Sequence, residues 1–185
     1  MRKVLLGAAA WLAAAVLCGC SAAGGVSAQE VSDAVAQPFT AQLQVVCGGS
    51  EYAAQLSRDA DSLDVVMDAP ALFSGMAISF PVGGGNAEVD FNGISFTVDP
   101  DDLPGASAVA AVVSVLDTAA VPDRLTTEVR DGTAVILGDG FELQLLSSDS
   151  AGNEPLTAGL PFSEIRLSIP EHNITAVVAD FTPVL

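Results

Sequence analysis

From Phe39 onward the chain alternates. Phe39, Ala41, Leu43, Val45 and Cys47 are separated by mostly polar neighbours, and Tyr52, Ala54 and Leu56 repeat the pattern before the polar turn "RDADS". Leu63, Val65 and Met67 follow, interleaved with Asp64 and Asp68, and after "APALFSG" come Met76, Ile78, Phe80 and Val82, up to the glycines 83–85. A period of two sends alternate side chains to opposite faces of an extended chain, so each run predicts a strand with one buried and one solvated face.

The turns agree with this. Ala87, Val89 and Phe91 meet Asn92-Gly93, the favoured dipeptide of a two-residue hairpin, and Ile94, Phe96 and Val98 form the return. Asp131-Gly132 joins "RLTTEVR" to "TAVIL", and Gly138-Asp139-Gly140 leads into Phe141, Leu143 and Leu145. Ile165, Leu167 and Ile169 and then "NITAVVADF" make the last pair, joined at "PEHN". The spacing predicts roughly nine or ten strands in a mainly β fold, a curved antiparallel sheet wrapped round one core.

One segment has a different period. "DDLPGASAVAAVVSVLDTAA", residues 101–120, predicts a helix over about 104–119, with acids before it and Pro104 in its first turn. Val109, Val112, Val113, Leu116 and Ala120 fall on one stripe; Ser107, Ala111, Ser114 and Thr118 fall opposite. That opposite face has no charge except Asp117 near its edge. Two readings fit: a core helix capping the sheet, or a lid whose apolar stripe covers a greasy cavity. In the second, Val109, Val112, Val113 and Leu116 contact a ligand together with Phe80, Phe91, Phe96 and Leu143 on the sheet.

The first residues alter the picture of where this domain works. Arg2 and Lys3 precede an uncharged run from Val4 to Leu17, a charged and then apolar pattern of secretory type, too short to span a bilayer comfortably. It ends in Leu17-Cys18-Gly19-Cys20, which resembles the bacterial lipobox and selects Cys20 for acylation, since Cys18 follows the bulky Leu17. An ordinary signal peptide with two chance cysteines is the alternative. The lipobox reading gives a signal peptide at 1–19, a flexible tether at 20–37 and one β domain at 38–185, lipid-anchored on the extracytoplasmic face of a bacterial membrane. Cys47 then has no cysteine to pair with and reads as a buried strand residue pointing inward.

Charge excludes some partners. The chain has 23 acidic and six basic residues, a net charge of −17. Without residues 1–19 it keeps four arginines and no lysine, a net charge of −19. Such a surface repels nucleic acid and anionic headgroups, so no nucleic-acid partner is expected.

Catalytic constellations are missing from the sequence. The one histidine, His172, sits in the turn "PEHNIT", and there is no GxSxG elbow. One histidine and one remaining cysteine do not make a zinc site. The acidic runs "DADSLD" at 59–64 and "DPDD" at 99–102 lack the glycine and distal glutamate of a calcium loop and read as turns and caps. No metal, no cofactor and no enzymatic activity are expected.

Several stretches carry a resemblance to a known group. "FTAQLQVVCGGSEYAAQLSR" resembles a first hairpin, "APALFSG" a turn after the third strand, and "GNEPLTAG" a connection before the final pair. Together with the closing "ADFTPV", these resemble the LolA/LppX-like bacterial lipoprotein and lipid carriers, in particular lipid-anchored versions from Gram-positive bacteria. The resemblance implies an incomplete antiparallel barrel, open on one side and covered by helix, whose hollow binds acyl chains. It also implies a long N-terminal helix, for which this chain offers only "SDAVAQ". The expected function is a membrane-anchored binder or carrier of a lipid or acylated molecule. The alternative is a non-catalytic envelope protein that works through contacts with a protein partner.

Overall fold

The computed structural model describes residues 27–103, 106–130, 133–146 and 162–184. Eleven strands form one open sheet: β1 (Phe39–Cys47), β2 (Ser50–Arg58), β3 (Ser62–Ala69), β4 (Ala77–Pro81), β5 (Ala87–Phe91), β6 (Ile94–Val98), β7 (Thr126–Arg130), β8 (Thr133–Gly138), β9 (Phe141–Leu146), β10 (Glu164–Ile169) and β11 (Ile174–Pro183). Their order is β6-β5-β4-β3-β2-β1-β11-β10-β9-β8-β7, with every neighbouring pair antiparallel. The alternating runs therefore give eleven strands rather than nine or ten. The run "RLTTEVR" supplies β7, which is exposed along its whole length.

The order explains the helix. Strands β1–β6 run outward from the centre to one edge, β7–β11 run back from the other, and the first and last strands pair in the middle. Within each half consecutive strands are neighbours, but β6 and β7 lie at opposite edges. The connection between them must cross the whole sheet, and it carries α2 (Ser107–Ala119) over the inner face. Val109, Val112 and Leu116 are fully buried there, beside Leu43, Leu63, Ile136, Leu143 and Ile165 from both halves of the sheet. The helix starts at Ser107 rather than 104, with no side-chain cap. The acids before it sit in a separate 3-10 turn, Pro100–Asp102, capped by Asp99.

A second helix occupies part of the expected tether. Residues Ala28–Ala36 form α1, started by a reciprocal cap in which Ser27 and Glu30 bond each other's backbone. Val31 and Val35, four apart on one face, are fully buried, and α1 packs beside α2. One face of these nine residues has enough apolar surface to order them, so any tether ends before Ser27.

Local irregularities have sequence causes. In the β5–β6 hairpin, Asn92 and Gly93 both take positive φ, 52° and 80°, as a type I′ turn requires. In β11 the pairing with β1 slips between Ala179 and Thr182, and Asp180 is the extra residue, at φ 55°. A bulge shifts the residues after it to the other face. Phe181 thereby reaches the inner side, where its ring lies 4.7 Å from that of Phe39 and 5.7 Å from that of Phe162.

Candidate functional site

The inner face is not filled from end to end. Beside α2 lies a half-open hollow of about 770 Å³. One wall comes from the end of β4 and the turn after it, with Phe80, Pro81, Gly84 and Gly85. The opposite wall comes from Cys47 at the end of β1 and from Ile169, His172 and Ile174 around the β10–β11 turn. The third is the helix itself, through Ser107, Ala111 and Ser114. A smaller hollow of about 490 Å³, bordered by Thr118, Arg124, Asp139 and Phe141, meets the first at Ser114 and Val115.

The helix faces the hollows with a side of mostly small residues, on which Asp117 is the one charge. Ser107, Ala111, Ser114 and Thr118 share that side, which is the one whose missing charges stood out in the sequence. Long charged side chains there would fill the space between helix and walls. The stripe expected to contact a ligand does something else. Val109, Val112 and Leu116 lie in the core with Leu143, and none of the four borders the hollow. Val113 and Phe80 do border it. Phe91 is half-buried against the core at the end of β5. Phe96 pairs with Val89 and so faces inward, yet it stays 47% exposed because nothing described reaches over the edge strand.

Of the eight positions expected at the site, two are therefore brought to it. Cys20 lies outside the described residues. Cys47 faces inward as its alternation implied, but it is half-buried rather than enclosed, with its Sγ 3.9 Å from the His172 carbonyl. Sequence reasoning missed Ile169, His172, Ile174, Gly84 and Gly85 as wall residues. They lie in turns or at the strand ends that flank them, and periodicity does not tell which ends meet around one space.

Acids gather at the mouth. Asp99, Asp101 and Asp117 border the hollow, and among the described residues no lysine or arginine does. Asp99 is engaged in its own turn, accepting from the Asp101 N–H at 3.0 Å. Asp117 does more. Its Oδ1 accepts from Arg58 Nη2 at 3.2 Å, and its Oδ2 accepts from the Gly83 N–H at 3.0 Å. One carboxylate thus joins α2 to β2 below it and to the β4–β5 turn beside it. Arg58 is only 4% exposed at its side chain, and its Nε and Nη1 have no partner among the described residues.

Among the described residues there is no group of three metal-ligating side chains, and no helix long and apolar enough to cross a membrane. His172 and Cys47 meet through the histidine backbone and not its ring.

This geometry defines a class: an open antiparallel sheet strapped by one helix, with an accessible hollow along the helix. Similar solved structures include a LolA superfamily protein from Nitrosomonas europaea, 13% identical, covering 85% of this chain and 92% of that one, with a TM-score of 0.44. A conserved protein from Thermus thermophilus is 12% identical over 84% and 83%, TM-score 0.46. LprF from Mycobacterium bovis is 13% identical over 85% and 92%, TM-score 0.38. No protein-family profile matches the sequence, and no curated protein does.

Proposed function

We propose that this protein is a lipid-anchored, non-catalytic envelope protein that holds a hydrophobic ligand, a lipid or an acylated molecule, in the hollow beside α2. The observation that carries the reading is the face of α2, uncharged but for Asp117 at its edge, turned onto a space of about 770 Å³ in an otherwise acidic chain. That volume falls within the range of about 300–1,000 Å³ common for small-molecule sites. Phe80, Val113, Ile169 and Ile174 supply apolar wall, and the acids at the mouth leave the polar end of a ligand near water. Cys20 supplies the anchor. At least two acyl chains are needed there, since one binds a membrane only marginally.

The reading is tested on protein taken from its own membrane. Native mass spectrometry should show a bound lipid or acylated species, and the delipidated protein should bind a fluorescent fatty acid. Bare protein together with a probe that never binds refutes it. The anchor is tested separately: Cys20→Ala should move the protein from the membrane to the soluble fraction and abolish labelled-palmitate incorporation.

One observation favours the second reading, a module that works through protein contacts. The stripe of α2 is packed solidly against the sheet, so the helix is core wherever else it is a wall, while apolar side chains at one sheet edge stay uncovered.

A further inference from the structure

The two edges of the sheet are built differently. At β7, Arg130 bridges Glu128 at 3.0 Å and Glu142 at 3.2 Å, so charged groups crowd the outer face of that edge. Charged side chains on an edge strand are how folded proteins discourage another strand from pairing there. The other edge, β6, reads Ile-Ser-Phe-Thr-Val. It has no charge, no proline and no glycine, and its residues are exposed apart from the half-buried Val98.

Its outward hydrogen-bonding groups, unpaired among the described residues, can be placed. The two-residue turn Asn92-Gly93 closes on the pair Phe91–Ile94, which exchanges both backbone bonds, and bonded and unbonded pairs alternate from there. Phe91–Ile94, Val89–Phe96 and Ala87–Val98 are bonded; Asp90–Ser95 and Glu88–Thr97 are not. The N–H and C=O groups of Ser95 and Thr97 therefore point away from the sheet. The inner face of the edge shows Ile94, 65% exposed, and Phe96, 47% exposed. The outer face shows Ser95 and Thr97 with the exposed acids Glu88 and Asp90 one strand behind them.

We propose that β6 is a docking edge for an extended segment of a partner protein in which basic and apolar residues alternate. Such a segment adds a twelfth strand through the four outward groups of Ser95 and Thr97, the mode known as β-augmentation. Its apolar side chains cover Ile94 and Phe96. Its basic side chains lie on the outer face, two strand spacings or about 10 Å from Glu88 and Asp90, a gap that lysine and arginine side chains span and that salt screens only partly. Asp99, Asp101 and Asp102 just beyond β6 add to the attraction. A second copy of this chain is the poorer occupant. It would set the same acids against each other in two molecules that each have a net charge of −17.

The test uses the full chain in phosphatidylcholine nanodiscs and three synthetic nonapeptides: one alternating lysine with valine, one alternating glutamate with valine, and the lysine peptide with a central proline. Binding is followed by fluorescence anisotropy, and backbone protection by hydrogen exchange. The lysine peptide should bind and should slow exchange at Ser95 and Thr97. Thr97→Pro removes an outward N–H that β5 does not use, and should weaken binding about tenfold, the cost of one or two backbone hydrogen bonds. Phe96→Lys, at an exposed position, should do the same with no change in melting temperature, so the result does not depend on how β6 tolerates proline. Binding that survives both substitutions, or equal binding of the glutamate peptide, overturns the proposal. So does protection of the two amides that rises with protein concentration in the absence of peptide, because a second copy then covers the edge.

Discussion

Arg58 Nη2 on β2 lies 3.2 Å from Asp117 Oδ1 on α2, with the guanidinium buried and the carboxylate partly in water. The pair is unequal. Asp117 keeps a second partner, the Gly83 N–H, whereas Arg58 has no other acceptor among the described residues. Losing the carboxylate strands a buried charge, while losing the guanidinium leaves an aspartate that water and Gly83 still serve.

Asp117→Ala is accordingly expected to destabilise the protein by about 3–5 kcal/mol, the cost of breaking a buried pair from one side. Arg58→Met should cost much less, because a methionine fills similar space with no unmet donors. The double variant should resemble Arg58→Met alone. Urea unfolding of all three measures this, and equal losses for the two single variants would count against the asymmetry.

A second prediction concerns Cys47. Its thiol borders the hollow and is half-buried, so a maleimide should label it in the native protein faster than it would a core thiol. A fatty acid in the hollow should slow that labelling. Native labelling as slow as for an enclosed residue, speeding up only in denaturant, would show that the hollow is closed at this end.

Glu30 gives a pH dependence. The Ser27 N–H, and after it the Ser27 hydroxyl, bond its carboxylate and lower its pKa from the ordinary value. A lowered pKa in the folded state means stability that is present above the unfolded value and is lost as pH falls through the folded one. Acidification below about pH 4.3, the ordinary glutamate value, should therefore loosen α1 before the sheet. Hydrogen exchange at Val31 and Val35 should report it. Ser27→Ala should lower the stability of α1 by about 0.5–2 kcal/mol at neutral pH and weaken the acid response only in part, because the backbone N–H at position 27 still bonds the Glu30 carboxylate.

Alternation in the sequence was a good guide wherever one face of a strand is buried. Leu63, Val65 and Met67 are all inner residues, as their spacing implied, because a one-residue slip would expose all three. It was a poor guide at the edges. Phe96 has the right parity but lies beyond the reach of α2, and parity does not tell how far a helix extends. The first helix was hidden by its small, polar composition, although Ser27-x-x-Glu30 followed by Val31 and Val35 is a helix start and a stripe. The hollow was legible only as a deficit, the absence of charge on Ser107, Ala111 and Ser114. The rest of its wall comes from strand ends and turns far apart in sequence, such as Phe80, Gly84 and His172, which only the pairing of β1 with β11 and the order of the strands bring to one place.

The two sides of α2 allow ligand binding to be separated from stability. Ala111 is half-buried on the hollow's wall, so Ala111→Phe fills empty space and should abolish binding of a fluorescent fatty acid while leaving the melting temperature nearly unchanged. Leu116 is fully buried in the core and does not touch the hollow. Leu116→Ala should cost about 2–5 kcal/mol as a cavity is left behind, yet the molecules that remain folded should bind the probe normally. Val113 is buried and borders the hollow as well, so Val113→Asp should lose both, because a carboxylate there is poorly solvated and faces an apolar ligand. Melting curves and probe titrations on the three variants sort the outcomes. If Ala111→Phe still binds and Leu116→Ala does not, the ligand lies between the helix stripe and the sheet, in a space that the structure shows packed.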